Sequence, residues 1–417
     1  MLYSSYALSR DTLGSVKKPF YFTVGTKLSG THARTGVITT PHGEIKTPAF
    51  IPVGTQATLK ALTPEQLKAT GAQAVLANAY HLYLRPGYDI IDRAGGLHAF
   101  MNWDKPIFTD SGGFQVMSLG VGFKKVIDMV GKEVDAPVSK KEKLAWIDDD
   151  GVNFKSHLDG STHRLTAETS MQIQHGLGAD IIFAFDELTT LHHSRAYQEE
   201  SLTRRTHPWA LRSLAEHKRL TAERSHRPYQ ALFGVVQGAN YEDLRRECSR
   251  FLAAQDFDGF GLGGAFTKED IGTITGWMAE ELPEDKPRHM LGISEPNDIF
   301  DCIENGADTF DCVSPARVAR NGALYTPRGR VNITNRKYKE QFAPLVEECA
   351  CYTCQNYTAA YLHHLFRAGE MLASTLATIH NEQFIVELVD GIRASIEDGS
   401  FYDFKKAWME LYYTSVS

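Results

Sequence analysis

Eight times along the chain, an apolar run ends at Gly, Asp, Asn or Ser and gives way to a stretch with helical periodicity. The runs cover residues 47–53, 74–77, 106–109, 181–185, 231–236, 259–262, 289–293 and 309–313. Strand followed by helix, eight times over, predicts a closed parallel (β/α)8 barrel of the TIM type. The unbroken apolar character of the runs fits strands covered on both faces. An open doubly wound sheet is the competing arrangement, and the placement of polar residues decides between the two. Asn78 and His81, Asp110 and Ser111, Asp186 and Glu187, Gln237, Gly263 and Gly264, Gly292, and Asp311 each stand at or just past the carboxyl end of a different run. In a closed barrel they share one rim, where enzymes of this fold place their chemistry.

Two segments interrupt the repeat. Residues 120–150 read as an excursion over the barrel mouth, and 191–228, with Arg195, Glu199, Arg204, Trp209, Leu214 and His217 at helical spacing, read as one or two surface helices. The barrel is expected over 21–330. Residues 331–417 are expected to form a zinc-binding subdomain with C-terminal helices that close the barrel. With 42% hydrophobic and 23% charged residues among 417, the chain has the composition of a packed enzyme rather than a disordered or fibrous protein. Residues 1–22 hold no apolar stretch long enough for a signal core or a membrane span, so a cytoplasmic protein with no membrane partner is expected.

The formal charge of −7 argues against a protein that coats nucleic acid through bulk positive charge. Charge is unevenly spread, however. Arg317, Arg320, Arg328, Arg330, Arg336, Lys337 and Lys339 follow one another with no acidic residue between them, which makes a local phosphate-binding candidate; a solvated loop face is the plainer reading.

Three of the six cysteines, Cys349, Cys351 and Cys354, crowd into six residues. Disulfides among them would be strained, whereas thiolates at this spacing wrap a tetrahedral zinc ion with little backbone cost. A fourth ligand is required, and His363, His364 and His380 are all within reach along the chain. With four protein ligands no position remains for a catalytic water, so the ion would be structural. Asp110, in TDSGG, and Asp311, in FDC, put carboxylates at strand ends beside small or apolar neighbours. A carboxylate pair suits glycosidic-bond cleavage, one attacking the anomeric carbon and the other moving protons on the leaving group. Taken singly, each Asp is as well explained as a helix cap or an ion-pair partner. The glycine run 261–264 fails as a dinucleotide fingerprint, but it lets a flat ligand lie against backbone amides.

Together these motifs resemble the tRNA-guanine transglycosylase family, in its bacterial, queuosine-forming branch, from about residue 36 to 412. The matching segments are NAYHLYLRPG at 78–87, TDSGGFQVMSL at 109–119, SHLDG at 156–160, FAFDE at 183–187, FDCV at 310–313, and the cysteine and histidine set from 349 to 380. The resemblance implies a pentosyltransferase that exchanges guanine 34, in the wobble position of GUN anticodons, for 7-aminomethyl-7-deazaguanine. It implies Asp311 as the nucleophile that holds the tRNA covalently and Asp110 as general acid and base. Asp186, Gln237, the Gly264 amide and Ser111 fall on base-recognition positions, and Phe114 and Leu291 on the two sides of a base sandwich. Ala265, Glu269 and Gly292 border the pocket, with Glu269 matching an acidic residue that recognises the aminomethyl cation.

The same resemblance makes Cys349, Cys351, Cys354 and His380 the ligands of one structural zinc ion per subunit. Arg317 and Arg320 fall on the anticodon-loop grip, and Tyr361 and His364 on a homodimer contact. This chain has Leu188, Ala265, Phe266 and Leu291 where many bacterial members have other residues, so queuine is the alternative acceptor. A non-catalytic tRNA-binding subunit is the other alternative, and the presence of both Asp110 and Asp311 counts against it. Archaeal relatives that act on the tRNA D-arm carry further C-terminal domains, for which a chain ending at Ser417 leaves no room; DNA-modifying relatives are a third possibility.

Overall fold

A computed structural model describes residues 19–121 and 145–414. Eight strands, β1 (Ala49–Pro52), β2 (Val75–Ala77), β3 (Ile107–Thr109), β4 (Ile181–Phe183), β5 (Ala231–Val236), β6 (Gly259–Leu262), β7 (Arg288–Met290) and β8 (Thr309–Cys312), form one sheet. Each pairs in parallel with its neighbour in sequence, and β8 returns to β1. A parallel bridge from Val53 to Leu76 brings β1 to β2, so the ring closes and the barrel expected from the eight runs is present. All six residues of β5 are buried, as a strand covered on both faces requires.

Local sequence sets the helix boundaries. Thr63 and Gln66 exchange side-chain and backbone bonds around Pro64 at the start of helix Pro64–Ala69, and Gly178, in the left-handed region, ends helix Ala167–Leu177. Residues 191–228 form the expected helices, with one face packed into the protein. Helices Arg195–Ser201 and His207–Glu223 run together through a π-helical turn, Leu202–Thr206, and the second turns Trp209, Leu214 and His217 into the core. Trp209 stacks on Phe185 with 4.9 Å between ring centroids. The charges at helical spacing mark only its outer face.

The floor of the barrel comes from an antiparallel meander absent from the sequence-based expectation: Tyr21–Lys27, Arg34–Thr40 and Gly43–Thr47. Its Phe20 flank, Phe22, Ile38 and Ile45 join the barrel interior of Ile51, Leu76, Phe108, Phe183 and Phe233. Three aspartates that immediately precede strands fasten this end. Asp308 takes two bonds from Arg34 at 2.9 and 2.7 Å. Asp180 takes His42 at 2.7 Å and His98 at 3.1 Å, and Asp258 takes the Tyr229 hydroxyl at 2.7 Å. A second three-stranded sheet, Ala145–Ile147, Gly151–Lys155 and Thr162–Thr166, lies between β3 and β4. Most of the 120–150 excursion lies outside the described residues.

After β8 come helix Ser314–Arg320, hairpin Ala323–Thr326 and Gly329–Asn332, and helices Ala359–Ala368, Met371–Glu397 and Phe401–Thr414. The 27-residue helix packs on β1 and on Ser314–Arg320, which closes the outer ring of the barrel. No described helix is long and apolar enough to cross a membrane.

Candidate active site and metal centre

The residues that follow strand ends converge on the mouth opposite the meander. Asp110, one step past β3, accepts the Ala79 amide at 2.7 Å and a short bond from the Asn78 side chain. Burial pushes its carboxyl up to about 7. The Ala79 amide and the Gln115 side chain pull against that shift, while the charge of Asp311 adds to it. Asp311 belongs to β8 and is nearly enclosed. Its Oδ1 lies 3.1 Å from His289 Nε2 and accepts the Gly292 amide at 3.2 Å. His289 is fully buried and has Thr309 Oγ1 2.8 Å from its other ring nitrogen. With Thr309 Oγ1 donating to Nδ1 and Nε2 donating to Asp311, both ring nitrogens are satisfied and the carboxylate is fixed through Oδ1. Asp110 and Asp311 are therefore one interacting pair at one end of the barrel.

Beside them is a face suited to the edge of a planar, polar ring. Gln237 donates to Asp186 at 2.6 Å, and its own Oε1 is buried without a partner among the described residues. Asp186 is raised to about 6, chiefly by burial and against the bonds from Gln237 and Ser111. Its loop is anchored by the buried neighbour Glu187, which holds Arg205 at 2.5 Å and the Tyr197 hydroxyl at 2.7 Å. Gly264 has φ of +90°, and a Cβ there would stand 2.5 Å from Gln237 Oε1 and 2.9 Å from Arg245 Nη2. The chain can thus approach a ligand here only as glycine. Gly264→Ala is expected to weaken guanine binding at least tenfold with little loss of secondary structure, measured by titration of guanine into the folded variant; an effect on the order of tenfold or more follows because the added Cβ would push the backbone amide out of place.

Leu291 flanks the same glycines, since a Cβ on Gly261 or Gly263 would meet its Cδ1 at 3.3 Å. Phe114 projects at the mouth, 42% exposed on the first turn of helix Gly113–Val121. An aromatic ring so placed is open to stacking. Ala265 is fully buried, and Glu269 is exposed on the turn Lys268–Asp270. Arg317 and Arg320 lie on the helix that starts just after Asp311; Arg317 is exposed, and Arg320 donates to the Ala316 carbonyl. Sequence reasoning passed over two contributors, His289 and Arg245. Both carry a signal in retrospect: a histidine inside an apolar strand, and an arginine on the inward face of its helix.

The metal centre settles a choice that spacing left open. His380 Nδ1 stands 3.8, 3.4 and 3.4 Å from the sulfurs of Cys349, Cys351 and Cys354, close to the edges of about 3.6 Å that a tetrahedral zinc site requires. Its Nε2 donates to the Tyr325 carbonyl at 2.7 Å, which turns Nδ1 toward the sulfurs. His363 is instead engaged by the Ile333 carbonyl at 2.9 Å, and His364 is exposed. These four residues can hold one metal ion. Purified protein is expected to carry one zinc per chain by elemental analysis and Cys351→Ser much less; full metal content in that variant would refute the assignment.

Comparison with known proteins gives matches over nearly the whole chain. The family described as "Queuine tRNA-ribosyltransferase" matches residues 29–414. The chain is 46% identical over 392 residues to the queuine tRNA-ribosyltransferase of Thermoanaerobacter pseudethanolicus, covering 93% of this chain and 96% of that protein. It is 46% identical over 396 residues to that of Herpetosiphon aurantiacus, covering 94% and 93%. To a protein named putative queuine tRNA-ribosyltransferase in Archaeoglobus fulgidus it is 44% identical over 397 residues, covering 90% and 96%.

Proposed function

Because the chain belongs to the queuine tRNA-ribosyltransferase family, we propose that it is a pentosyltransferase that removes guanine 34 from GUN anticodons and installs 7-aminomethyl-7-deazaguanine through a covalent tRNA intermediate on Asp311. The observation that carries this reading is the pairing of Asp110 and Asp311 at one mouth, next to the purine-edge face of Asp186, Gln237 and Gly264.

The steps follow from what each group can do. Asp311 attacks C1′ of an extruded nucleotide. The C1′–N9 bond breaks with its electron pair going to guanine, and Asp110 supplies the proton. A carboxyl near 7 is divided between its two forms at neutral pH, so Asp110 can then accept the proton of the incoming base as that base attacks C1′ and releases Asp311. Two displacements retain configuration at the sugar. Phe114 and Leu291 would sandwich the base. Asp186, ionised at neutral pH, would accept from the pyrimidine-side edge, with Ser111 beside it, while Gln237 and the Gly264 amide donate to the carbonyl. Glu269 would face the aminomethyl cation, and Ala265 and Gly292 would line the pocket.

Arg317 and Arg320 would take anticodon-loop phosphates, which fits cations that form no ion pair among the described residues. A zinc ion held by Cys349, Cys351, Cys354 and His380 would have a structural role. Tyr361 and His364, exposed on helix Ala359–Ala368, would meet a second copy of the chain.

The direct test is incorporation of labelled guanine into tRNA with the label mapped to one nucleotide, followed by competition between 7-aminomethyl-7-deazaguanine and queuine as acceptors. Label at position 34 and preference for the aminomethyl base are expected. A folded, metal-loaded protein that incorporates nothing would overturn the reading.

A further inference from the structure

Arg245, on helix Glu242–Ala253, has no exposed surface, and the hydrogen bonds its guanidinium makes among the described residues end on neutral acceptors. Nε donates to the Ala239 carbonyl at 2.8 Å. Nη1 donates to the Gly263 carbonyl at 2.5 Å, to the Val236 carbonyl at 3.2 Å and to the Met278 sulfur at 3.7 Å. Nη2 is buried without a partner among those residues, on the side where a Cβ on Gly264 would stand 2.9 Å away. The nearby Cys248 thiol does not balance the charge, because burial pushes it up to about 12. Burial also lowers Arg245, to about 10, and the group is still a cation at neutral pH.

The guanidinium also lies over the Phe266 ring, 5.9 Å from its centroid, a contact that attracts the cation without neutralising it. Buried cations with no counter-ion are costly, and neutral donors would serve to tie down a few carbonyls. The position of this one suggests what offsets the cost. The carbonyl of Gly263 and the amide of Gly264 are the two ends of one peptide group, so a cation on the carbonyl polarises the amide. The Gly263 amide itself is occupied by the Val236 carbonyl at 3.2 Å.

We propose that Arg245 is a positioning residue for base exchange: its unbalanced charge, passed through the Gly263–Gly264 peptide, strengthens the Gly264 amide as donor to the purine's six-position oxygen and stabilises negative charge there as the base departs. This rests on the base-pocket reading given above. It adds to that reading a charged group that does not touch the base. A donor prearranged where charge develops is the device by which enzymes stabilise oxyanions.

The experiment compares guanine with 2-aminopurine, which lacks the six-position oxygen and the N1 proton that goes with it, as ligands of the full chain and of Arg245→Gln and Arg245→Lys, alongside steady-state guanine exchange into tRNA; the N1 difference is the same for every variant and cancels between them. Arg245→Gln is expected to bind guanine about tenfold more weakly and to lose at least as much in kcat, with 2-aminopurine binding unchanged within about twofold. Arg245→Lys, which keeps the charge, is expected to retain the preference for guanine. A purely structural staple would weaken both ligands alike, and that result, or no change in either, overturns the proposal. If Arg245→Gln does not fold, the lysine variant decides: a folded Arg245→Lys without guanine preference overturns it, and retained preference supports it. An unmodified protein that binds neither base would instead sink the base-pocket reading itself.

Discussion

Asp311→Asn is expected to abolish guanine exchange while leaving the protein folded and metal-loaded. Asparagine matches aspartate in shape, and its carbonyl oxygen can keep both the Gly292 amide and the His289 contact. The barrel end should therefore be undisturbed. What disappears is the proposed nucleophile. Carboxamide oxygen is a poor attacking group at C1′, and losses on removing a covalent nucleophile are on the order of 10^4-fold or more in kcat. Two readouts check this: labelled guanine entering tRNA, and a protein–tRNA adduct that survives denaturing electrophoresis. Both should vanish together in the variant. Activity within about tenfold of the parent, or a persistent adduct, would transfer the nucleophile's role to another residue.

How far the site could be read from sequence depends on where strands end. Asp180 and Asp186 lie six residues apart around one apolar run and look equivalent on paper. The first precedes β4 and is consumed by His42, His98 and the Ile107 amide at the floor; the second follows β4 and faces the mouth. The eight runs located those ends to within a few residues, because buried parallel strands are continuously apolar, and so the rim residues came out on the correct side. Sheets that pack on only one face were invisible. The meander over 21–47 and the sheet over 145–166 contain many polar residues and left no unbroken apolar run. Spacing likewise could not choose among His363, His364 and His380, because the choice is made by the Ile333 and Tyr325 carbonyls, which arrive from the hairpin region. Arg245 was hidden for a related reason: in its helix it is one more charge at helical spacing, and only the closeness of the Gly263 loop shows that it points inward.

Asp110→Asn is expected to separate activity from stability in opposite directions. Removing the proposed proton donor and acceptor should lower kcat by about 10²–10⁴-fold and flatten the pH dependence near 7. Stability follows from the direction in which burial moves the carboxyl. In the folded chain it is raised to about 7 from an ordinary value near 3.8. Folding therefore favours the protonated form: the group's stabilising contribution is complete below about pH 4 and is lost as pH rises through 7. At pH 8 the charged form costs the native state about 4 kcal/mol relative to a neutral group, since each tenfold change in an ionisation equilibrium corresponds to about 1.4 kcal/mol. Asparagine removes that cost, but it turns one amide donor toward the Asn78 or Ala79 donors, which returns about 1–2 kcal/mol. A net gain of about 2 kcal/mol at pH 8 should remain, shrinking and then reversing toward pH 4. The quantity to follow is the difference between variant and parent in denaturant unfolding at each pH, so that any metal held by Cys349, Cys351, Cys354 and His380, whose binding would also depend on pH, contributes equally to both. A variant less stable than its parent at pH 8, or a difference that does not change with pH, would mean that Asp110 is not held protonated by burial, and the assignment of general acid would fall with it.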